Sequence, residues 1–198
     1  MTIKNIIFDL GGILCGLNPD RCIHSFEQIG AGSVAHFVAE HRVEDLFLDS
    51  DTGKINAQQF CDEVHRITSK NIPDNKIVWA WNQLLTPIAA WKLAKLKELG
   101  QHHRLFLLSN TNDMHWQHCQ NNFFKAQGAD AYSCFEKVFL SFEMHLIKPS
   151  EEIFRAVIEQ TGITPADTLF IDDTAANLLT ARRMGFLTRQ SFNENDIF

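Results

Sequence analysis

Positive charge is scarce in this 198-residue chain, where 18 Lys and Arg stand against 24 Asp and Glu for a formal net charge of −6. A protein that holds nucleic acid through phosphate contacts carries a basic excess or a basic stripe, and this chain has neither. Long apolar runs are missing as well. None approaches the roughly 20 residues needed to span a bilayer. Met1-Thr2-Ile3-Lys4 leads straight into strand-like sequence, without the charged and apolar regions of a signal peptide. The five cysteines (Cys15, Cys22, Cys61, Cys119 and Cys134) are odd in number, scattered, and include no Cys-x-x-Cys pair. That usage predicts no disulfide framework and a reducing, cytoplasmic setting. Repeats, low-complexity tracts and linkers rich in Gly, Pro or Ser are also absent. What is present is ordinary globular composition, 45% hydrophobic and 21% charged, at a length that suits one domain with a sizeable core.

Three short apolar runs end alike. Ile6-Ile7-Phe8 runs into Asp9 and Gly11-Gly12, Leu105 to Leu108 into Ser109-Asn110-Thr111-Asn112, and Leu169-Phe170-Ile171 into Asp172-Asp173. A short, continuously apolar run followed by polar loop formers suits a strand buried on both faces of a parallel sheet. Lys137 to Leu140 and Phe186 to Thr188 are further candidates. Helical patterns lie between them. Pro149 to Gln160 carries Glu151 and Glu152 in its first turn and stops at Gly162, and Ala175, Leu178 and Ala181 repeat at helical spacing up to Gly185. Alternating strands and helices predict an α/β fold with a doubly wound, mostly parallel sheet.

The interval from Pro19 to Leu99 reads almost wholly helical, over residues 20–29, 33–48, 57–70, 75–85 and 88–99. A plain crossover needs one helix. The surplus predicts a helical cap over 17–87, inserted into a core made of 1–16 and 88–198. Asp51-Thr52-Gly53-Lys54 is a turn within it by composition.

In open α/β sheets, ligands bind outside the carboxyl ends of the strands. The strand ends here supply Asp9, Ser109 and Asp172-Asp173, with Lys148 just before Pro149. Each alone is most often a turn, a cap or a solvated side chain. Adjacent carboxylates after an apolar strand repel one another unless a cation lies between them. Three carboxylates, a hydroxyl and a lysine converging on one sheet edge would make a Mg²⁺ site beside a phosphate site.

Taken in order, Asp9-Leu10-Gly11-Gly12, Ser109-Asn110-Thr111-Asn112, Lys148-Pro149 and Asp172-Asp173 with Asn177 resemble the four motifs of the haloacid dehalogenase superfamily. The resemblance runs over residues 4 to 188 and includes a helical cap between the first two motifs. It implies a Rossmann-like core and a Mg²⁺-dependent phosphatase acting on a small phosphorylated metabolite. By the same resemblance Asp9 is the nucleophile that forms an aspartyl-phosphate, while Ser109, Asn110, Lys148 and Gly12 hold the phosphate. Asp9, Asp172 and the Gly11 carbonyl would take the metal. Asp173 and Asn177 would support it, through water or by orienting Lys148. The first motif is similar to that of a bacterial subgroup that includes a glucose 1-phosphate phosphatase. The leaving group and the oligomeric state stay open.

One departure matters. Superfamily phosphatases usually carry a second Asp two residues after the nucleophile as general acid and base, and here that position is Gly11. Such proton transfer contributes about 10²–10⁴-fold in rate. Asp20, His24 and His145 are the candidate replacements; without one, aryl and acyl phosphates should be preferred over alkyl phosphates. Two alternatives follow: a non-catalytic relative that binds a phospho-ligand or a protein, and a haloacid dehalogenase. Charge opposes the latter, because an acidic cluster repels a carboxylate substrate. Two other features read as structural. His115-x-x-His118-Cys119 has helical zinc spacing but no fourth ligand, and Phe60, Trp79, Trp81 and Trp91 are more simply a helical core than a sugar platform.

Overall fold

The computed structural model describes residues 2–39 and 46–191. The apolar runs become strands β1 (Asn5–Phe8), β2 (Arg104–Ser109), β3 (Lys137–Leu140), β4 (Thr168–Asp172) and β5 (Leu187–Gln190). All pair in parallel, in the order β3-β2-β1-β4-β5. Side chains alternate across a strand, so Ile6 and Phe8 join one buried layer with Leu105, Leu107, Trp116 and Phe124. Ile7 joins the other, with Phe106, Phe139, Phe154 and Phe170. Both faces are covered by helices, and the strands are continuously apolar for that reason.

Between β1 and β2 lie α1 (Pro19–Gln28), α2 (Gly32–Ala39), α3 (Leu46–Asp51), α4 (Ala57–Thr68), α5 (Asp74–Asn82) and α6 (Ala90–Leu99). The expected helix over 33–48 has α2 and α3 at its two ends, and its middle lies outside the described residues. Helices α1 to α5 bury their own cluster, centred on Phe26, Phe47, Phe60, Val64, Ile77 and Trp81. Helix α6 instead puts Leu96 into the core layer under the sheet. The chain enters and leaves the cap side by side. Asn18 N donates to Leu84 O at 2.7 Å and Thr86 N to Gly16 O at 2.9 Å, around an antiparallel bridge of Leu17 with Leu85. This pairing ends α5 at Asn82, three residues before the expected 85.

After β2 come α7 (Asp113–His118), continued by a π turn over Cys119–Phe124, and then α8 (Ala131–Cys134). Helices α9 (Ser141–Met144) and α10 (Glu151–Thr161) separate β3 from β4, and α11 (Ala175–Arg183) separates β4 from β5. The expected helix from Pro149 starts later, at Glu151. Ser150 takes the N-cap in extended conformation, and Pro149 sits outside the helix in a cis peptide bond with Lys148. Among the described residues no helix is long and apolar enough to cross a membrane. All five cysteines are free thiols.

Candidate active site

Parallel strands deliver their carboxyl ends to one rim, so the loops after β1, β2 and β4 meet there. Asp9 follows β1, and its N–H donates to Ile171 O at 3.0 Å, which brings it abreast of Asp172 at the end of β4. Lys148, between α9 and α10, bridges them. Its Nζ lies 3.0 Å from Asp9 Oδ1 and 2.8 Å from Asp172 Oδ2, and donates to Leu108 O at 2.9 Å. All three ammonium donors are thereby used. Buried charge is tolerated only when paired, and here the Lys148 and Asp172 side chains are 1% and 0% exposed.

Burial raises the Asp9 carboxyl to about 7, with the Asp172 charge adding to it and Lys148 opposing. For Lys148, burial works to lower the ammonium, but Asp9 and Asp172 outweigh it and hold the group above its usual value. Lys148 is thereby held as a positive charge, while Asp9 ionises less readily than an ordinary carboxylate. Asp173 is half-buried and also raised, first by burial and then by the Asp172 charge. Oxygens of Asp9, Asp172 and Asp173 all lie within 4.8 Å of one another, a group of possible ligands found nowhere else among the described residues. An all-oxygen, carboxylate-rich set with one ammonium leaves surplus negative charge and fits a hard cation such as Mg²⁺.

The paired acids stand in different surroundings. Asp172 was expected to bind metal and Asp173 to support it. Asp172 is completely buried and already accepts from Lys148 Nζ, from Thr174 N at 2.8 Å, and from Asn177 Nδ2 at 3.0 and 3.1 Å. It is Asp173 that lines the open cavity. Asn177 donates to Asp172, which holds Lys148, and it also lines the cavity. Of two further residues expected to hold phosphate, Asn110 lines the cavity and Gly12 does not. Asn110 Nδ2 donates to Lys148 O and its Oδ1 accepts from Lys148 N, both at 2.9 Å, so its side chain fixes the lysine backbone. Gly12 N–H donates to Cys15 O at 2.8 Å and is not available to phosphate. Gly12 has φ +73°, and a Cβ there would overlap the Asp173 carboxylate, which is why glycine stands at this position.

Asp9, Gly11, Ser109, Lys148 and Asp173 share a cavity of about 260 Å³. Leu10, Asn110, Thr111, Thr174 and Asn177 complete the core side of its wall, and the rest comes from the cap and its linkers, through Leu17, Asp51, Trp81, Leu84 and Leu85, and from His115 on α7. None of the candidate replacement acids reaches it. Asp20, His24 and His145 are all exposed, and His145 Nδ1–H donates instead to Thr52 O at 2.9 Å. The residue that sequence reasoning missed is Asp51, noted only as part of a turn; a lone acid at a turn gives no sign that folding will bury it against Asn112.

His115 and His118 do not form a metal site with Cys119. Burial lowers His115 to about 4, which keeps it neutral, and its ring stacks on Trp81 at 4.5 Å with Nε2–H donating to Trp81 O at 3.2 Å. Phe60 and Trp81 belong to the cap core, with Trp81 also edging the cavity, whereas Trp79 and Trp91 are exposed and do not line it.

The family model for haloacid dehalogenase-like hydrolases matches residues 3–185. A D-ribitol-5-phosphate phosphatase of Bacteroides thetaiotaomicron is 26% identical over 194 residues, covering 98% of this chain and 94% of that protein. A crystal structure of a HAD family enzyme from the same organism, in complex with magnesium and inorganic phosphate, superposes with a TM-score of 0.90 at 38% identity. It covers 95% of this chain and 93% of its own. The fold is also that of L-2-haloacid dehalogenase from Xanthobacter autotrophicus, at a TM-score of 0.62 and 19% identity over 96% of this chain and 77% of that one. With a family model matched over almost its whole length, the chain belongs to the haloacid dehalogenase-like hydrolases.

Proposed function

We propose that the protein is a Mg²⁺-dependent phosphatase that cleaves a small phosphorylated metabolite through an aspartyl-phosphate on Asp9, with residues 17–87 as its cap. One observation carries this reading: a buried lysine bridges Asp9 to Asp172 at the rim of the sheet, beside a third carboxylate. Phosphoryl transfer needs positioning and charge neutralisation more than covalent machinery. Lys148 supplies one positive charge to the phosphoryl oxygens, and Ser109 on the cavity wall supplies a hydroxyl. Asp9, Asp173 and the Gly11 carbonyl would hold Mg²⁺, with Asp172 behind them holding Lys148. When bound, the metal would neutralise the phosphate dianion and keep Asp9 ionised. Asp9 Oδ then attacks phosphorus, and water later releases the phosphate.

The cavity of about 260 Å³ suits a small ester, below the usual drug-sized range of roughly 300–1,000 Å³. The ribitol phosphate specificity of the similar Bacteroides protein supports a sugar-alcohol or sugar phosphate as substrate. A dehalogenase reading has only the fold in its favour, and the acidic cluster opposes it. The test is a panel of phosphate esters assayed with Mg²⁺ and with EDTA, together with fluoroberyllate mapping. Mg²⁺-dependent release of phosphate and an adduct on Asp9, lost in Asp9→Asn, are expected. Undiminished turnover in EDTA would refute the reading.

A further inference from the structure

Gly11 leaves the leaving-group oxygen without its usual proton donor, yet the cavity contains one carboxyl that neither the metal cluster nor Lys148 uses. Asp51 ends α3 in the cap and lines the same cavity as Asp9 and Lys148. Its side chain has a single hydrogen bond among the described residues, accepted at Oδ1 from Asn112 Nδ2 at 2.8 Å. It is not part of the carboxylate group that could hold metal. Resting on the phosphatase reading above, we infer that Asp51 is the general acid and base of this enzyme, delivered from the cap in place of the residue missing at Gly11.

Three features support that assignment. The first is fixed placement. Ser141 Oγ on α9 lies 2.6 Å from Asp51 O and accepts from Thr111 N at 2.9 Å, tying the end of α3 to the loop after β2. One residue on, His145 holds Thr52 O, and Gly53 at φ +69° passes so close to Phe142 O that no Cβ would fit. The acid therefore belongs to the cap by sequence but is clamped to the core. The second is the support of its partner. Asn112 caps α7 by accepting from His115 N at 3.0 Å, which fixes its amide and hence Asp51 Oδ1. The third is ionisation: burial pushes the Asp51 carboxyl up to about 6, so a usable protonated fraction persists near neutral pH. Trp81, whose indole nitrogen is buried without a hydrogen-bond partner among the described residues, also lines the cavity.

The proton balance closes. As Asp9 Oδ bonds to phosphorus, the ester P–O bond breaks and its electron pair goes to the leaving oxygen, which takes the Asp51 proton. Water then attacks the aspartyl-phosphate, the Asp9–phosphorus bond breaks, and Asp51 recovers a proton from that water.

The experiment compares wild type with Asp51→Asn and Asp51→Ser on p-nitrophenyl phosphate, whose leaving group needs no proton, and on D-ribitol 5-phosphate, whose leaving group does. Folding of each variant is checked by thermal melting, and kcat and KM are read separately. Both variants should lose kcat on the alkyl ester by about 10²–10⁴-fold, and at least about tenfold less on the aryl ester. Equal losses on both esters would assign Asp51 a merely structural role and overturn the proposal. So would unchanged alkyl turnover, a loss confined to KM, or a wild type that hydrolyses only the aryl ester. A wild type inactive on both with Mg²⁺ present would sink the phosphatase reading itself, and this assignment with it.

Discussion

Replacing Asp51 by Asn should make the protein more stable at neutral pH. The native environment raises this carboxyl from the usual 3.8 to about 6, chiefly through burial, with the Asn112 hydrogen bond acting the other way. Between those values the folded state holds a proton that the unfolded chain has released. The folded state is therefore favoured most below the unfolded value, and this advantage disappears as pH rises through about 6. At about 1.4 kcal/mol per unit, the ionised carboxylate costs the fold on the order of 3 kcal/mol above neutrality. Asn keeps the shape, still accepts from Asn112, and never ionises. The expected gain is up to about 3 kcal/mol near pH 7.5 and little near pH 4, or roughly 6–12 °C in Tm at the higher pH for a domain of this size. Urea unfolding followed by tryptophan fluorescence, for both proteins at both pH values in EDTA, isolates the Asp51 contribution because every other carboxylate is common to the pair. An Asn variant less stable than wild type near pH 7.5, or a difference that does not change with pH, would refute the reasoning. Stability gained where activity is lost is the usual trade at a functional site.

Lys148→Met should destabilise by about 3–5 kcal/mol, since it leaves Asp9 and Asp172 buried without their cation. Added Mg²⁺ should recover part of this in denaturant melts, and a loss below about 1 kcal/mol would contradict the bridge. Asp173→Asn should weaken Mg²⁺ binding measured by calorimetry more than Asp172→Asn does, because Asp173 lines the cavity and Asp172 is held behind it; the reverse order would restore the sequence-based assignment. Gly12→Ala should displace the Asp173 carboxylate and cost about 1–2 kcal/mol for its left-handed backbone. Its Mg²⁺ affinity should fall at least about tenfold in the same calorimetry, and an unchanged affinity would show that Asp173 does not need the space.

Local chemistry made much of this protein legible in its sequence. Ile6-Ile7-Phe8, Leu105 to Leu108 and Leu169-Phe170-Ile171 had to be buried on both faces, and the polar residues closing them had to gather on one rim once the strands ran parallel. That put Asp9, Ser109, Lys148 and the Asp172-Asp173 pair together without any knowledge of distances. Tertiary structure alone decided which of them face the cavity and which are buried behind it. Neighbouring acids on a strand end point to opposite sides, so only packing could bury Asp172 against Lys148 and Asn177 and leave Asp173 on the cavity wall. Asn110, which looks like a phosphate ligand in sequence, is drawn into a reciprocal pair with the Lys148 backbone 38 residues away. Asp51 carries no local signal at all. Its burial and raised pKa come from α3 docking against Asn112 and Ser141, residues 61 and 90 positions further along, and a pattern read within a window of one helix cannot contain a contact made across that separation.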